Sequence, residues 1–222
     1  MNAIIVSDLH IGSPYFLYQG FERFLNNIPK DCEFILNGDV IDDPDQKLQP
    51  AHQRILKRID EVSRRQQVIW VRGNHDNDYI PNGFKHIQFK TRYTLDKRLL
   101  ISHGYDFDDI MPRSRMFIQS FHFIHDLMIK LGSRPVHVAD YAKRFRLLYK
   151  VLRDNVMKNA VNCALENGYE AVSCGHTHFP EDRMLNGIRY MNTGAWTEYP
   201  AFYLQMTGNE MTLMKTDDSS SR

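Results

Sequence analysis

The residues able to do chemistry fall in five short strings: Asp8-Leu9-His10, Gly38-Asp39, Gly73-Asn74-His75-Asp76, His103-Gly104 and Gly175-His176-Thr177-His178. Their side chains offer carboxylate, imidazole and amide donors and no thiolate. That set suits Mn, Fe, Zn or Co rather than a soft metal. Asp8 and His10 are two residues apart, as are His176 and His178, so each pair can project from one side of an extended strand exit. Glycines beside these residues permit tight turns and close backbone approach. Any one string alone reads equally well as a turn or a helix cap. Five together, each closing a predicted strand, point to a metal centre.

The elements that must carry these strings are legible in the apolar pattern. Strands are predicted at 3–6, 33–36 and 67–72, each running into one of the polar strings. Helices are predicted at 16–27 and at 48–66, where Leu48, Ile55, Ile59 and Val62 recur at helical spacing. Alternating strands and helices imply a largely parallel sheet. In such sheets ligands bind beyond the carboxyl ends of the strands. Short strands follow at 86–89, 92–95 and 98–102, and others at 170–174, 183–191, 201–206 and 211–215. Between them, 111–167 reads as two or three helices broken near Gly132 to Pro135. The expected organisation is one α/β domain over 1–222 with a helical insert at 111–160.

Across the whole motif set, from Asp8 to His178, the chain resembles the calcineurin-like metallophosphoesterase superfamily. The resemblance implies a four-layer αββα sandwich, two facing sheets flanked by helices. It also implies a ligand set. One metal would take Asp8, His10, Asp39 and His178, and the other Asp39, Asn74, His103 and His176, with Asp39 bridging. A bridging carboxylate holds two cations roughly 3.5–4 Å apart and supplies a bridging hydroxide as nucleophile. In this pattern His75 is not a ligand; it would approach the phosphoryl oxygens or the leaving group, with Asp76 orienting it. The bland alternative for His75 is a surface loop histidine. The cofactor implied is a pair of divalent ions, Mn first and Fe, Zn or Co after it.

Within the superfamily the chain is most similar to the UDP-2,3-diacylglucosamine pyrophosphatases, which cleave a nucleotide-lipid pyrophosphate in lipid A biosynthesis. The matching runs are SDLHIG at the start, and NAVN, CGHTHFPE and YMNTGAWTE between Asn155 and Tyr199. Three positions depart from that pattern: His75 stands where many members have Arg, Tyr105 where they have Asp, and Ala195 where they have Asp. A histidine can donate a proton, which matters more for an alkoxide leaving group than for a phosphate. His75 therefore also fits a phosphodiester or monoester substrate.

The insert bears on the same choice. Residues 111–160 hold ten Lys/Arg and three Asp/Glu, a balance of +7 in a chain whose net charge is +1, interleaved with aromatic residues. Helical aromatic stripes are usually core and charge runs usually a solvated face. The functional reading is a lid, with Arg146, Phe145 and Tyr149 binding substrate. The same ingredients would serve an acyl-chain wall, an anionic membrane surface or a nucleic-acid groove. The partners left open are thus a small phosphate substrate, lipid-linked in the sense of the resemblance, a peripheral membrane contact, and nucleic acid. Phosphoprotein phosphatase activity on the same metals is a further alternative. A non-catalytic module would be expected to lose ligands, and all seven are present.

Composition constrains little beyond this. Three cysteines give no disulfide framework and no thiolate metal site. The start NAIIVSD has the look of a core strand, with no basic region or cleavage site. No apolar run approaches the ~20 residues a membrane span needs. A cytoplasmic protein, with contact at the inner membrane open, is the expectation.

Overall fold

In a computed structural model, residues 1–79, 83–110 and 146–216 are described. The expected helices between 111 and 145, Phe145 included, lie outside the described residues. Eleven strands occur among the described ones, in two sheets.

The first sheet has the order β11-β10-β1-β2-β3-β4. Its centre is β1 (Asn2–Val6), β2 (Glu33–Asn37), β3 (Val68–Val71) and β4 (Ile87–Lys90), mutually parallel. β10 (Phe202–Thr207) pairs antiparallel with β1, and β11 (Glu210–Lys215) with β10. The second sheet runs β5-β6-β7-β9-β8. Its centre is β6 (Leu99–Ile101), β7 (Ala171–Cys174) and β9 (Ile188–Asn192), again parallel. β5 (Tyr93–Leu95) and β8 (Glu181–Leu185) close its edges antiparallel.

Strand alternation sorts the core into three layers of side chains. Ala3, Ile5, Ile35, Ile69 and Val71 point at Leu99, Ile101, Ala171 and Met191, so the two sheets face each other. On the outer side of the first sheet, Ile4, Val6, Phe34, Leu36 and Trp70 pack on helix α1 (Tyr18–Asn27) and α2 (Pro50–Ser63). On the outer side of the second, Leu100, Val172, Cys174 and Tyr190 pack on α3 (Arg146–Glu166), through Val156, Met157, Ala160, Val161 and Ala164. The result is the expected α/β sandwich of two sheets flanked by helices.

One element differs from expectation. The run 183–191 is not a single strand: β8 and β9 form a hairpin turned at Asn186-Gly187. Both turn residues have positive φ, 52° and 80°, as a two-residue hairpin turn of this kind requires. The Asn-Gly pair is a turn signal, and apolar residues on either side hid it.

Both sheets send their parallel strands the same way, so the loops after β1, β2, β3, β6 and β7 meet at one edge of the sandwich. Asn37 links the sheets there, its Nδ2 donating to the carbonyls of Ser102 (3.2 Å) and Ser173 (3.4 Å). Ile5 is fully buried between the sheets. Ile5→Ala should lower unfolding free energy by about 2–5 kcal/mol in a denaturant titration. Thr212→Ala, on the exposed side of β11, should stay within about 0.5 kcal/mol of the parent. Equal small effects would contradict the facing-sheet core.

Candidate metal centre

The loop after β1 lies along the loop after β2. The amides of Asp8, His10 and Ile11 donate to the carbonyls of Gly38, Asp39 and Val40 at 3.0, 2.9 and 2.8 Å. In the second sheet, Gly175 donates to the His103 carbonyl at 2.8 Å. These loops are strained where the candidate ligands sit. Asp8, His10, Asp39, His176 and His178 all have φ between 50° and 63°, a region that non-glycine residues rarely occupy. Such outliers persist where surrounding structure enforces them, and they cluster at functional sites. Two glycines allow the close approach: a Cβ at Gly73 would collide with the Asp39 carboxylate, and one at Gly175 with the Asp8 carboxylate.

The side chains converge. His178 Nε2 is 3.2 Å from Asp8 Oδ1 and 3.1 Å from His10 Nε2. His103 Nε2 is 3.1 Å from Asp39 Oδ2 and 4.0 Å from Asp8 Oδ1. Asn74 Oδ1 is 3.1 Å from His176 Nδ1. The Asp39 Oδ1 accepts from the His75 amide at 2.9 Å, and the Asp8 carboxylate accepts from the His176 amide at 3.1 Å. Asp8, His10 and His178 form one group able to hold a cation, and Asp8, Asp39 and His103 another; His10, Asp42 and His75 form a third at the rim.

The arrangement fits divalent ions on its own chemistry. Asp8 and Asp39 are buried, at 0% and 2% exposure, and among the described residues their only charge partners are imidazoles. Burying carboxylates without cations is costly. His103 makes the point: burial alone would lower its pKa, but the Asp39 and Asp8 charges overcome this and push it up to about 10. Burial would raise the Asp8 and Asp39 carboxyls in turn, and the facing imidazoles hold both below their ordinary value. The imidazoles are also aimed. His103 Nδ1 donates to the Asn37 carbonyl at 2.8 Å and His10 Nδ1 to Asp42 Oδ1 at 2.8 Å, which turns each Nε2 lone pair inward. Two adjoining groups of this kind imply a dinuclear divalent-metal cofactor.

Asp76 needs a correction. Its carboxylate does not orient His75. Oδ1 accepts from the Gly73 amide (2.7 Å), and Oδ2 from the Val40 amide (2.7 Å) and Trp70 Nε1 (3.1 Å). Asp76 turns inward beneath the loop and ties the ends of β2 and β3 together. Burial and the Asp39 charge raise its carboxyl, partly offset by those two amides. His75 instead donates Nδ1–H to the Asp42 carbonyl at 2.6 Å. Sequence reasoning missed Asp42. For its carboxylate, which faces His10 Nδ1, the spacing three residues after Asp39 was the available signal. It also missed Asp108, whose Oδ2 is 3.0 Å from His176 Nε2.

Of the expected substrate contacts, Tyr149 is near the site: its hydroxyl donates to the Thr177 carbonyl, between His176 and His178. Arg146 opens α3, and its side chain, like Phe145, lies outside what is described. No helix among the described residues is long and apolar enough to cross a membrane.

With fold and site in place, the class is defined: the chain belongs to the calcineurin-like phosphoesterases, whose family model matches residues 1–180. Its clustered carboxylate and imidazole groups are of the kind a metal-dependent phosphoesterase uses. Its sequence is 22% identical over 249 residues to the DNA polymerase II small subunit of Methanothermobacter thermautotrophicus, covering 91% of this chain and 49% of that protein. The chain thus spans about half the length of that curated relative. In fold it is similar to Yfce, a phosphoesterase from E. coli, with a TM-score of 0.50 and 17% identity over 99% of this chain and 96% of that one. It is similar too to Vacuolar Protein Sorting 29 from Cryptosporidium parvum, with a TM-score of 0.51 and 14% identity over 96% and 88% of the two chains.

The His103 shift has a measurable consequence. In the metal-free chain a proton sits on His103 at neutral pH, and a bound cation must displace it. Metal affinity should therefore rise between about pH 7 and 9, with proton release visible by calorimetry in buffers of different ionisation enthalpy. Affinity independent of pH over that range would contradict the assignment.

Proposed function

We propose that the chain hydrolyses a phosphodiester, with Asp8, His10, Asp39 and His178 holding one divalent ion and Asp39, Asn74, His103 and His176 the other. When bound, the pair would supply activation of water near neutral pH and neutralise charge on the phosphoryl oxygens. Mn is the first metal to try, with Fe, Zn and Co compatible with the donors.

The observation that carries this reading is the setting of His75. Its ring stands edge-on to His10, with centroids 4.9 Å apart, at the rim of the ligand cluster. The Asp42 carbonyl takes Nδ1–H. Nε2 then lies 4.0 Å from Asp39 Oδ2, on a side chain 28% exposed. A substrate phosphoryl group resting on the metals would come within reach of Nε2. As an imidazolium His75 would donate to the departing oxygen; as a neutral base it would not. An alkoxide leaving group gains most from such a donor.

A second reading keeps the same centre and makes the substrate a UDP-2,3-diacylglucosamine-like pyrophosphate. It is favoured by the runs SDLHIG, NAVN, CGHTHFPE and YMNTGAWTE, and by the basic, aromatic stretch 111–160. Phe145, Arg146 and Tyr149 would then meet the acyl or nucleotide portion. Similarity to a DNA polymerase subunit keeps nucleic acid among the phosphodiesters to be tried.

Two variants test the site. Asp39→Ala should abolish turnover, because it removes the carboxylate shared by both ions; turnover within about tenfold of the parent would sink the two-metal reading. His75→Ala should retain both metals by elemental analysis while lowering kcat by ~10²–10⁴. Loss of a metal in that variant would make His75 a ligand instead. For substrate class, bis-p-nitrophenyl phosphate, an oligonucleotide and the acylated UDP-sugar should be compared with Mn²⁺. Exclusive cleavage of the acylated sugar would overturn the phosphodiester reading in favour of the second.

A further inference from the structure

We propose that Asp108 is a positioning carboxylate for one half of the metal centre, holding His176 in the orientation that aims its Nδ1 at the same point as Asn74 Oδ1. This rests on the two-metal reading above.

The geometry has three parts. First, Asp108 Oδ2 is 3.0 Å from His176 Nε2. An ionised carboxylate only accepts, so a hydrogen resides on Nε2, which leaves Nδ1 as the nitrogen turned toward the cluster. Second, Nδ1 faces Asn74 Oδ1 at 3.1 Å. Third, Asp108 is itself held. It is 3% exposed, and its Oδ1 accepts from the Ile110 amide at 2.9 Å.

The loop that carries Asp108 is anchored to α3. Asn159 Nδ2 donates to the Phe107 carbonyl at 2.8 Å and to Asp109 Oδ2 at 2.7 Å, and the Asp109 amide donates to Asn155 Oδ1 at 3.1 Å. Asn159 opens the NAVN run, whose part in the site was not apparent from sequence. Asp106, two residues earlier, faces elsewhere: it pairs with Arg92 and accepts from Ser102 Oγ at 3.2 Å. The other half of the centre has a matching device. Asp42 Oδ1 lies 2.8 Å from His10 Nδ1. Each outer carboxylate thus serves a different imidazole, so the effect of losing one should fall on one metal only. Outer partners of this kind are typically worth 10–100-fold in metal affinity.

The test is Mn²⁺ titration of the metal-free full chain by calorimetry, with elemental analysis and thermal melts. The parent should bind two Mn²⁺. Asp108→Ala should weaken one of the two by about 10–100-fold and leave the other unchanged. Asp108→Asn keeps an oxygen acceptor for Nε2–H, so it should weaken the same ion by a smaller, several-fold factor. Should Asp108→Ala fail to fold, the near-isosteric Asp108→Asn decides alone. Asp106→Ala should bind both ions as the parent does. Two ions on the parent with both affinities kept in the Asp108 variants, or both weakened equally, would overturn this inference alone. Fewer than two on the parent would overturn the two-metal reading and this inference with it.

Discussion

The buried pair of carboxylates, Asp8 and Asp39, is the constraint that organises the molecule. Neither meets a lysine or arginine among the described residues, and both lie where the two sheets' strand ends converge. Isolated charges in such surroundings are unfavourable by many kcal/mol unless cations or hydrogen bonds compensate. The chain answers with four converging imidazoles and with amide donors from His75 to Asp39 and from His176 to Asp8. The left-handed backbone at five ligand positions follows from the same demand. A loop must turn sharply to bring both its amide and its side chain to one centre.

Position in the fold explains which parts of this were legible in sequence. Each candidate ligand follows a short apolar strand, and strand ends in a parallel sheet necessarily gather at one edge. Asp8, Asp39, Asn74, His103, His176 and His178 could therefore be placed together before any coordinates. The supporting contacts could not. The Asp42 carbonyl that holds His75 is a backbone group, carrying no sequence signature. Asp76 follows His75 directly, which suggested a pair, but a turn sends adjacent side chains in different directions, and Asp76 is consumed by amides and Trp70. Asp108 depends on a 3₁₀ turn at Tyr105–Phe107 and on anchoring from Asn159, some fifty residues away in sequence. The β8–β9 hairpin was missed for a local reason, a turn pair embedded in an apolar run.

Helix α3 links the remaining pieces. Its inner face is core against β7 and β9, while Tyr149 reaches the Thr177 carbonyl inside the His176–His178 loop. Arg153 lies over the Phe179 ring, 3.4 Å from its centroid, and pairs with Glu181 at 2.8 Å. A cation stacked on an aromatic face and paired with a carboxylate is a rigid contact. One helix therefore braces two ligand loops, after β6 through Asn155 and Asn159 and after β7 through Tyr149 and Arg153. Whatever binds near the start of α3 does so beside a helix already coupled to the metal centre.

The central claim is that Asp39 lies between two cations. Anomalous diffraction from crystals of the chain loaded with Mn²⁺, recorded above and below the metal edge, tests it directly. The account predicts two peaks roughly 3.5–4 Å apart with the Asp39 carboxylate between them, as two-metal phosphoryl sites require. A single peak, or a pair that leaves Asp39 unliganded, would contradict it.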